Sequence, residues 1–263
     1  MPDRRGAWHR WRLASRRAEL LGTTVGGTVR TMPAATSPLS DFDGKVIDGL
    51  LFCSKVDALY ESIRGLPDGV SRMRLRPTRV ERRLLTELLP ICAYVLANYQ
   101  PGRFISVMWM DGNQQCDAEL FQRGAYVSES FYPAHMSLEV TCAMHPKEHL
   151  MRKLLDTKGG AFGVEGITQL KNGTIQSLPV SYTNYDFVDS YAALLRKQIA
   201  AKGKWPFPKN TVLVVQCTLT MPYSPDEWTH LVDAVRPSIT PSTFREIFLY
   251  ETWGRRSVSL YPR

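Results

Sequence analysis

Between Asp41 and Leu66 the apolar residues Val46, Leu50, Leu51, Val56, Leu59 and Ile63 recur at helical spacing, which predicts one or two amphipathic helices ending near Gly65 and Pro67. A basic loop, SRMRLRP, follows. Thr78 then stands as an N-cap with Glu81 three residues on, the pattern of a capping box, and RRLLTELLPICAYVLANY continues as helix, with Pro90 placed to kink or divide it. FISVMWM predicts a strand, Asp111-Gly112-Asn113 a tight hairpin turn, and QCDAELFQR the returning strand. After the loop GAYVSESFYPAH comes a third strand, MSLEVTCA. Pro146 opens the helix KEHLMRKLLDTKG, which Gly159-Gly160 stops.

Residues 160–184 read as an inserted hairpin turning at Lys171-Asn172-Gly173. A helix over 186–201 carries Phe187, Val188, Tyr191, Leu194, Leu195 and Ile199 on its apolar side. TVLVVQCTL is almost continuously apolar, as a strand covered on both faces is. A helix near 226–235 and a last strand, REIFLYET, complete the pattern. The expected fold is α/β, a mixed central sheet flanked by helices. Its expected divisions are an arm over 1–40, a helical extension over 41–76 and the α/β domain over 77–263, which holds the inserted hairpin.

Composition adjusts this picture in three places. The net charge of +8 favours an acidic partner, nucleic acid being the commonest, although seven arginines in residues 1–30 supply much of it from an arm of linker composition. Five cysteines without paired spacing argue against a disulfide framework and point to a reducing, cytoplasmic setting. No run approaches the roughly 18 consecutive apolar residues of a membrane span, and residues 1–40 lack the apolar centre of a secretory signal.

The chemistry is concentrated around SLEVTCAMHPKEH, residues 137–149. Strand alternation sends Leu138, Val140 and Cys142 to one face and Glu139 to the other, toward a cleft. Asp117 lies early in the preceding strand, with Glu119 on its side. As residues of an edge strand these acids would simply be solvated; on two central strands they would stand close together, and a hard divalent cation, Mg²⁺ or Mn²⁺, would relieve their repulsion. Such an ion suits phosphodiester hydrolysis.

The order helix, strand, strand, strand, helix, strand, with acids on the second and third strands, resembles the restriction-endonuclease-like superfamily, the PD-(D/E)xK nucleases, over roughly residues 78–220. The resemblance implies a metal held by Asp117 and Glu139, with Glu87 or Glu81 of the first helix joining them. It also implies a proline before the first acid and a lysine two residues after the second. Here Cys116 and Thr141 stand at those places. Lys147 is the candidate for a relocated cation, and Gln115 for a polar substitute. The implied activity is metal-dependent hydrolysis of DNA; the alternative is a catalytically silent fold that binds nucleic acid or a protein partner. A homodimer would suit cutting both strands of a duplex.

Other readings of the same residues stay open. Cys142, His145 and His149 have C-x₂-H-x₃-H spacing and, with Cys116, form a possible zinc set, though a buried thiol is the plainer reading of Cys142. A cysteine nucleophile would need an accessible thiolate beside its base. Arg79, Arg82, Arg83, Lys147, Arg152, Lys153 and Lys158 would line a phosphate groove or a solvated helix surface, with Tyr126, Phe131 and Tyr132 available for stacking or for packing. Trp205, Phe207, Trp228 and Trp253 read as packing residues. No phosphate-loop or zinc-finger pattern is present.

Overall fold

The computed structural model describes residues 37–262 apart from 113, 182, 220–222, 240–242 and 253–255. Most of the expected arm, Asn113 of the expected turn, and Trp253 lie outside the described residues. The elements follow the polarity pattern closely. Strand β1 (Val46–Asp48) leads into helices α1 (Gly49–Arg64) and α2 (Gly69–Leu75), and a long helical stretch follows as α3 (Arg79–Arg83), a π-helical turn (Leu84–Leu88) and α4 (Leu89–Asn98). Strands β2 (Phe104–Trp109), β3 (Ala118–Arg123) and β4 (His135–Ala143) come next, with the short α5 (Ala125–Ser128) between the last two. Helix α6 (Glu148–Lys158), the hairpin β5 (Ile167–Gln169) and β6 (Ile175–Ser177), and α7 (Asn184–Lys202) precede β7 (Thr211–Cys217), α8 (Pro225–Val235), β8 (Glu246–Glu251) and β9 (Ser257–Leu260).

Seven strands form one sheet in the order β1-β2-β3-β4-β7-β8-β9, while β5 and β6 pair separately. The pairs on either side of β7 are parallel and the other four are antiparallel, so the sheet is mixed and the fold is α/β. One face carries Ile105, Val107, Trp109, Leu120, Leu138, Val140, Val214 and Phe248 under α1 and the α3–α4 stretch. The opposite face carries Leu213, Val215, Ile247 and Leu249 under α7 and α8, whose Val188, Leu195, Ile199, Leu231 and Val235 are buried there. These helices cover only part of that second face: its other half, on β1 to β3, leaves Val46, Phe104 and Phe121 exposed.

Four expectations change. Residues 41–76 are no separate extension, because β1 is the edge strand of the sheet and Phe42, Ile47, Phe52 and Val56 belong to the same core as β2 and β4. The basic loop SRMRLRP is largely helical, as α2, where Arg72 faces Glu81 and Arg74 donates to the Leu155 carbonyl at 2.9 Å. The hairpin of β2 and β3 closes through a loop over 111–116, since Trp109 pairs with Ala118 and the Met110 N–H donates to the Asp117 carbonyl at 3.0 Å. Strand β9, not expected from its four residues, extends the sheet beyond β8.

Pro90 divides the long helix, as its missing N–H requires. The backbone widens to a π-turn just before it, with the Leu89 N–H bonded to the Leu84 carbonyl. The Thr86 carbonyl, four residues before Pro90, has the Cys142 sulfur 3.8 Å away. The expected capping box is present: Thr78 accepts from the Val80 N–H at 3.2 Å, and the Glu81 side chain accepts from the Thr78 N–H at 3.1 Å. No helix among the described residues is long and apolar enough to cross a membrane.

Candidate active site

The site lies where β3 parts from β4. Ala118 pairs with Leu138 in the antiparallel register, so one step further Asp117 stands opposite Glu139. The Asp117 N–H still donates to the Leu138 carbonyl at 2.9 Å, and its side chain then folds across the neighbouring strand, where Oδ2 accepts from the Val140 N–H at 2.7 Å. The aspartate thereby satisfies an amide that β3 no longer reaches. It sits just before β3 rather than within it.

Glu139 shares its face of the sheet with Leu213, its partner on β7, beneath α7. It is only 8% exposed, so it faces a covered recess and not an open cleft. Its partner there is Lys202, the last residue of α7, whose ammonium donates to Glu139 Oε1. A cation at the last turn of a helix also suits the helix dipole. Glu87 approaches from the opposite face, on the π-turn, where Oε2 accepts from Trp109 Nε1 at 3.1 Å and Oε1 meets Arg83. Arg83 Nε also reaches Asp111 Oδ1 at 3.1 Å.

Asp117 is electrostatically linked to both glutamates. Burial first and the Asp117 charge second raise the Glu87 carboxyl to about 7, against the pull of Arg83 and Trp109. Burial and then Asp117 raise Glu139 against Lys202, while burial raises Asp117 against the Val140 amide, Lys202 and Arg83. All three acids therefore keep their protons to higher pH in the folded chain than in the unfolded one. For Glu87 the window runs from its ordinary 4.5 to about 7. Inside it the folded state binds more proton, so stability falls as pH rises, by up to about 3 kcal/mol from this group. Urea midpoints should be higher at pH 5 than at pH 8, and Glu87→Gln should shrink that difference; an undiminished difference would exclude Glu87 as its source.

No family model, curated protein or solved structure matches the chain. Among the described residues, no three or more His, Cys, Asp and Glu side chains gather into a group that would hold a metal ion. The donors that do converge, Asp117 and Glu139, are hard carboxylates, the type and number by which Mg²⁺ is commonly held together with waters and phosphate oxygens. The Asp117 charge raises the Glu139 carboxyl within the buried recess, and the Lys202 ammonium acts on both acids against it.

Three residues expected here lie elsewhere. Lys147 donates its ammonium to the Glu165 carbonyl at 3.0 Å, and Gln115 Nε2 donates to the Pro206 carbonyl at 2.6 Å. Glu81 is fully buried by its capping role and by Arg72. Glu119 meets His135 at 3.4 Å. The zinc set is not assembled: Cys142 Sγ donates to Gln216 Oε1 at 2.9 Å, His145 Nδ1 accepts from the Lys147 N–H at 3.1 Å, and His149 Nδ1 lies 3.0 Å from the Pro146 carbonyl. Burial pushes the Cys142 thiol up to about 12, the opposite of what a thiolate nucleophile needs. Among the aromatics, Tyr132 lies under Arg103 at 3.7 Å and is not free to stack, Trp228 is a core residue, and Trp205 is 66% exposed rather than packed.

Lys202 is the residue sequence reasoning missed. A signal for it existed: the buried positions Val188, Ala192, Leu195 and Ile199 run down one face of α7, and Lys202 continues that stripe three residues later. A lysine on a core-facing stripe calls for a buried acid as its partner.

Proposed function

We propose that the protein is a divalent-metal-dependent nuclease that hydrolyses phosphodiester bonds of DNA, built on a restriction-endonuclease-like core. One observation carries the reading: Asp117 and Glu139 face one another at the fork of β3 and β4, with Lys202 on Glu139. The order of the strands supports it as well, since β4, which carries the second acid, is antiparallel to β3 and parallel to β7, the latter as a helix-linked crossover requires. Asp117 and Glu139 would hold a Mg²⁺ or Mn²⁺ ion, which when bound supplies a Lewis acid for the phosphoryl group and lowers the pKa of a bound water.

The chain's own residues have definable tasks. The Val140 amide fixes the Asp117 carboxylate, and the two acids fix the geometry of the fork. Lys202 replaces, from the end of α7, the lysine that Thr141 displaces from β4. Its ammonium is placed to stabilise charge that develops on phosphoryl oxygens. Glu87, held by Trp109 and Arg83, feels the Asp117 charge through space and is a positioning residue beside the site.

The reading is tested by cleavage of linear, supercoiled and single-stranded DNA with Mg²⁺ or Mn²⁺ and with EDTA. Lys202→Met should lower cleavage by about 10²-fold, the effect of removing one electrostatic stabiliser. Lys147→Ala should leave it within about twofold, because its ammonium is engaged elsewhere. No metal-dependent cleavage of any of the three substrates by the full chain would refute the nuclease.

A second reading has one observation in its favour. Glu139 and Glu87 are already matched by cations of this chain, Lys202 and Arg83, as in a fold that no longer recruits a metal. A silent binder of nucleic acid would show affinity that needs no Mg²⁺ and falls steeply with salt.

A further inference from the structure

The carboxyl edge of the parallel strands holds two arginines and a tyrosine that the reaction above does not use. Strands β4, β7 and β8 run parallel, and their register aligns Cys142, Gln216 and Tyr250 in a row one residue from the end of β4 and β7. Tyr250 is 7% exposed, yet its hydroxyl has no hydrogen-bond partner. Arg76, which follows α2 in a left-handed conformation at φ 55°, lies within electrostatic reach of Cys142 and Tyr250, and Arg152 of α6 within reach of Cys142 and Arg76. Their helices are tied together by the Ser71 hydroxyl on Asp156 Oδ2 at 3.0 Å and by Arg74 on the Leu155 carbonyl.

Neither guanidinium is satisfied. Arg76 Nε and Arg152 Nη1 are buried without a partner, and neither side chain forms an ion pair with a described residue. Nearby arginines are treated differently: Arg72 has Glu81, Arg74 has Asp156, and Arg79 and Arg83 share Asp111. Glu148 lies within electrostatic reach of both guanidiniums without bonding either, and its own carboxyl is raised by burial. Burial first, and Arg152 second, make the Arg76 charge costly. Two half-buried cations that repel one another, each with one buried donor unpartnered, and an orphan hydroxyl at the same edge have no directly bonded anion.

We propose that Arg76, Arg152 and the Tyr250 hydroxyl form a phosphoryl-anion subsite that holds a nucleic-acid phosphate next to the one at the acid cluster. A tetrahedral phosphoryl group offers enough acceptor oxygens for two guanidiniums and a hydroxyl together, and planar guanidinium groups suit such oxygens. The outer end of parallel strands is a common place for a ligand. Cys142 lies within electrostatic reach of both groups, of Arg76 and Arg152 and of Glu87 and Asp117. The nucleic-acid assignment rests on the nuclease reading; the anion subsite itself does not. Its consequence for the substrate is that a chain with more than one phosphate is bound better than a mononucleotide.

The test is titration of the full chain with inorganic phosphate by calorimetry in EDTA, where no cleavage intervenes. The wild-type protein should bind, Arg152→Gln should weaken binding by about tenfold or more, and Tyr250→Phe by about three- to tenfold. Melting of the free variants separates binding from structure: removing one of two repelling, unsatisfied cations should leave Tm unchanged or raise it by a few degrees, about 2–5 °C. A short DNA oligonucleotide should displace the phosphate. Absent phosphate binding, or binding by Arg152→Gln as tight as that of the wild type, overturns the subsite; phosphate that DNA does not displace overturns its assignment to nucleic acid. Failure of DNA cleavage alone, with phosphate binding intact, would remove the nuclease and leave the subsite standing.

Discussion

Asp117→Asn is expected to lower Mg²⁺-dependent cleavage by about 10³-fold or more while leaving the folded chain at least as stable as the wild type. The size follows from losing one of two carboxylates that would hold the ion, whose charge supplies several kcal/mol at the reacting phosphate. The stability follows from what the side chain does in the fold. Its one direct partner is the Val140 N–H, which an amide oxygen accepts as a carboxylate does. Its charge works against the fold, since it raises both Glu87 and Glu139. The neutral variant should therefore also lose part of the fall in stability between pH 5 and pH 8. Cleavage rates and urea midpoints at the two pH values read both effects. Cleavage retained within tenfold would remove Asp117 from the reaction, whereas a large loss of stability would mean that it is a structural residue.

Arg103→Met should cost about 3–5 kcal/mol, because it strands buried polar groups on several sides. Arg103 is 1% exposed. Its Nε donates to Gln122 Oε1 at 2.8 Å, Nη1 to Asn98 Oδ1 at 2.7 Å and Nη2 to the Tyr94 hydroxyl at 3.3 Å, with the Tyr132 ring 3.7 Å from the guanidinium carbon. Tyr94 in turn donates to Glu246 Oε2 at 3.2 Å. Burial already raises the Glu246 carboxyl, while the Ser259 hydroxyl and Arg103 hold it down. Without Arg103 that carboxyl should rise further, so the variant should lose more stability at pH 8 than at pH 5. Denaturation at the two pH values checks this; a cost under about 1 kcal/mol would mean that water or the neighbouring residues replace the guanidinium.

How much of this was legible depends on the range of the interaction concerned. The capping box at Thr78 and Glu81, the division of the helix at Pro90, the turn at 171–173 and the fully buried β7 all follow from residues within a few positions of one another. Such features are written locally, because caps, prolines and alternation act through the nearest backbone groups. Val46–Asp48 is a three-residue strand whose partner lies about sixty residues further on, and no local pattern distinguishes it from the start of a helix. The same is true of β9.

The site divides in the same way. Asp117 and Glu139 were legible because both belong to the strand pattern, and antiparallel pairing of neighbouring strands then brings them opposite one another. The cation was not legible: Lys147 is nearer to Glu139 along the chain, but its side chain turns to the Glu165 carbonyl, while Lys202 comes from the far end of α7. The sequence by itself determined most of the elements, the α/β class and the placing of the two acids on neighbouring strands, since periodicity, capping and alternation are properties of short segments. Only the tertiary structure decided that α7 lays Lys202 on Glu139, that Glu87 feels the Asp117 charge from the other face, and that Arg76, Arg152 and Tyr250 keep buried polar atoms without partners. A side chain's charge partner is set by which helices cover which face of the sheet, and that is settled by packing the whole chain.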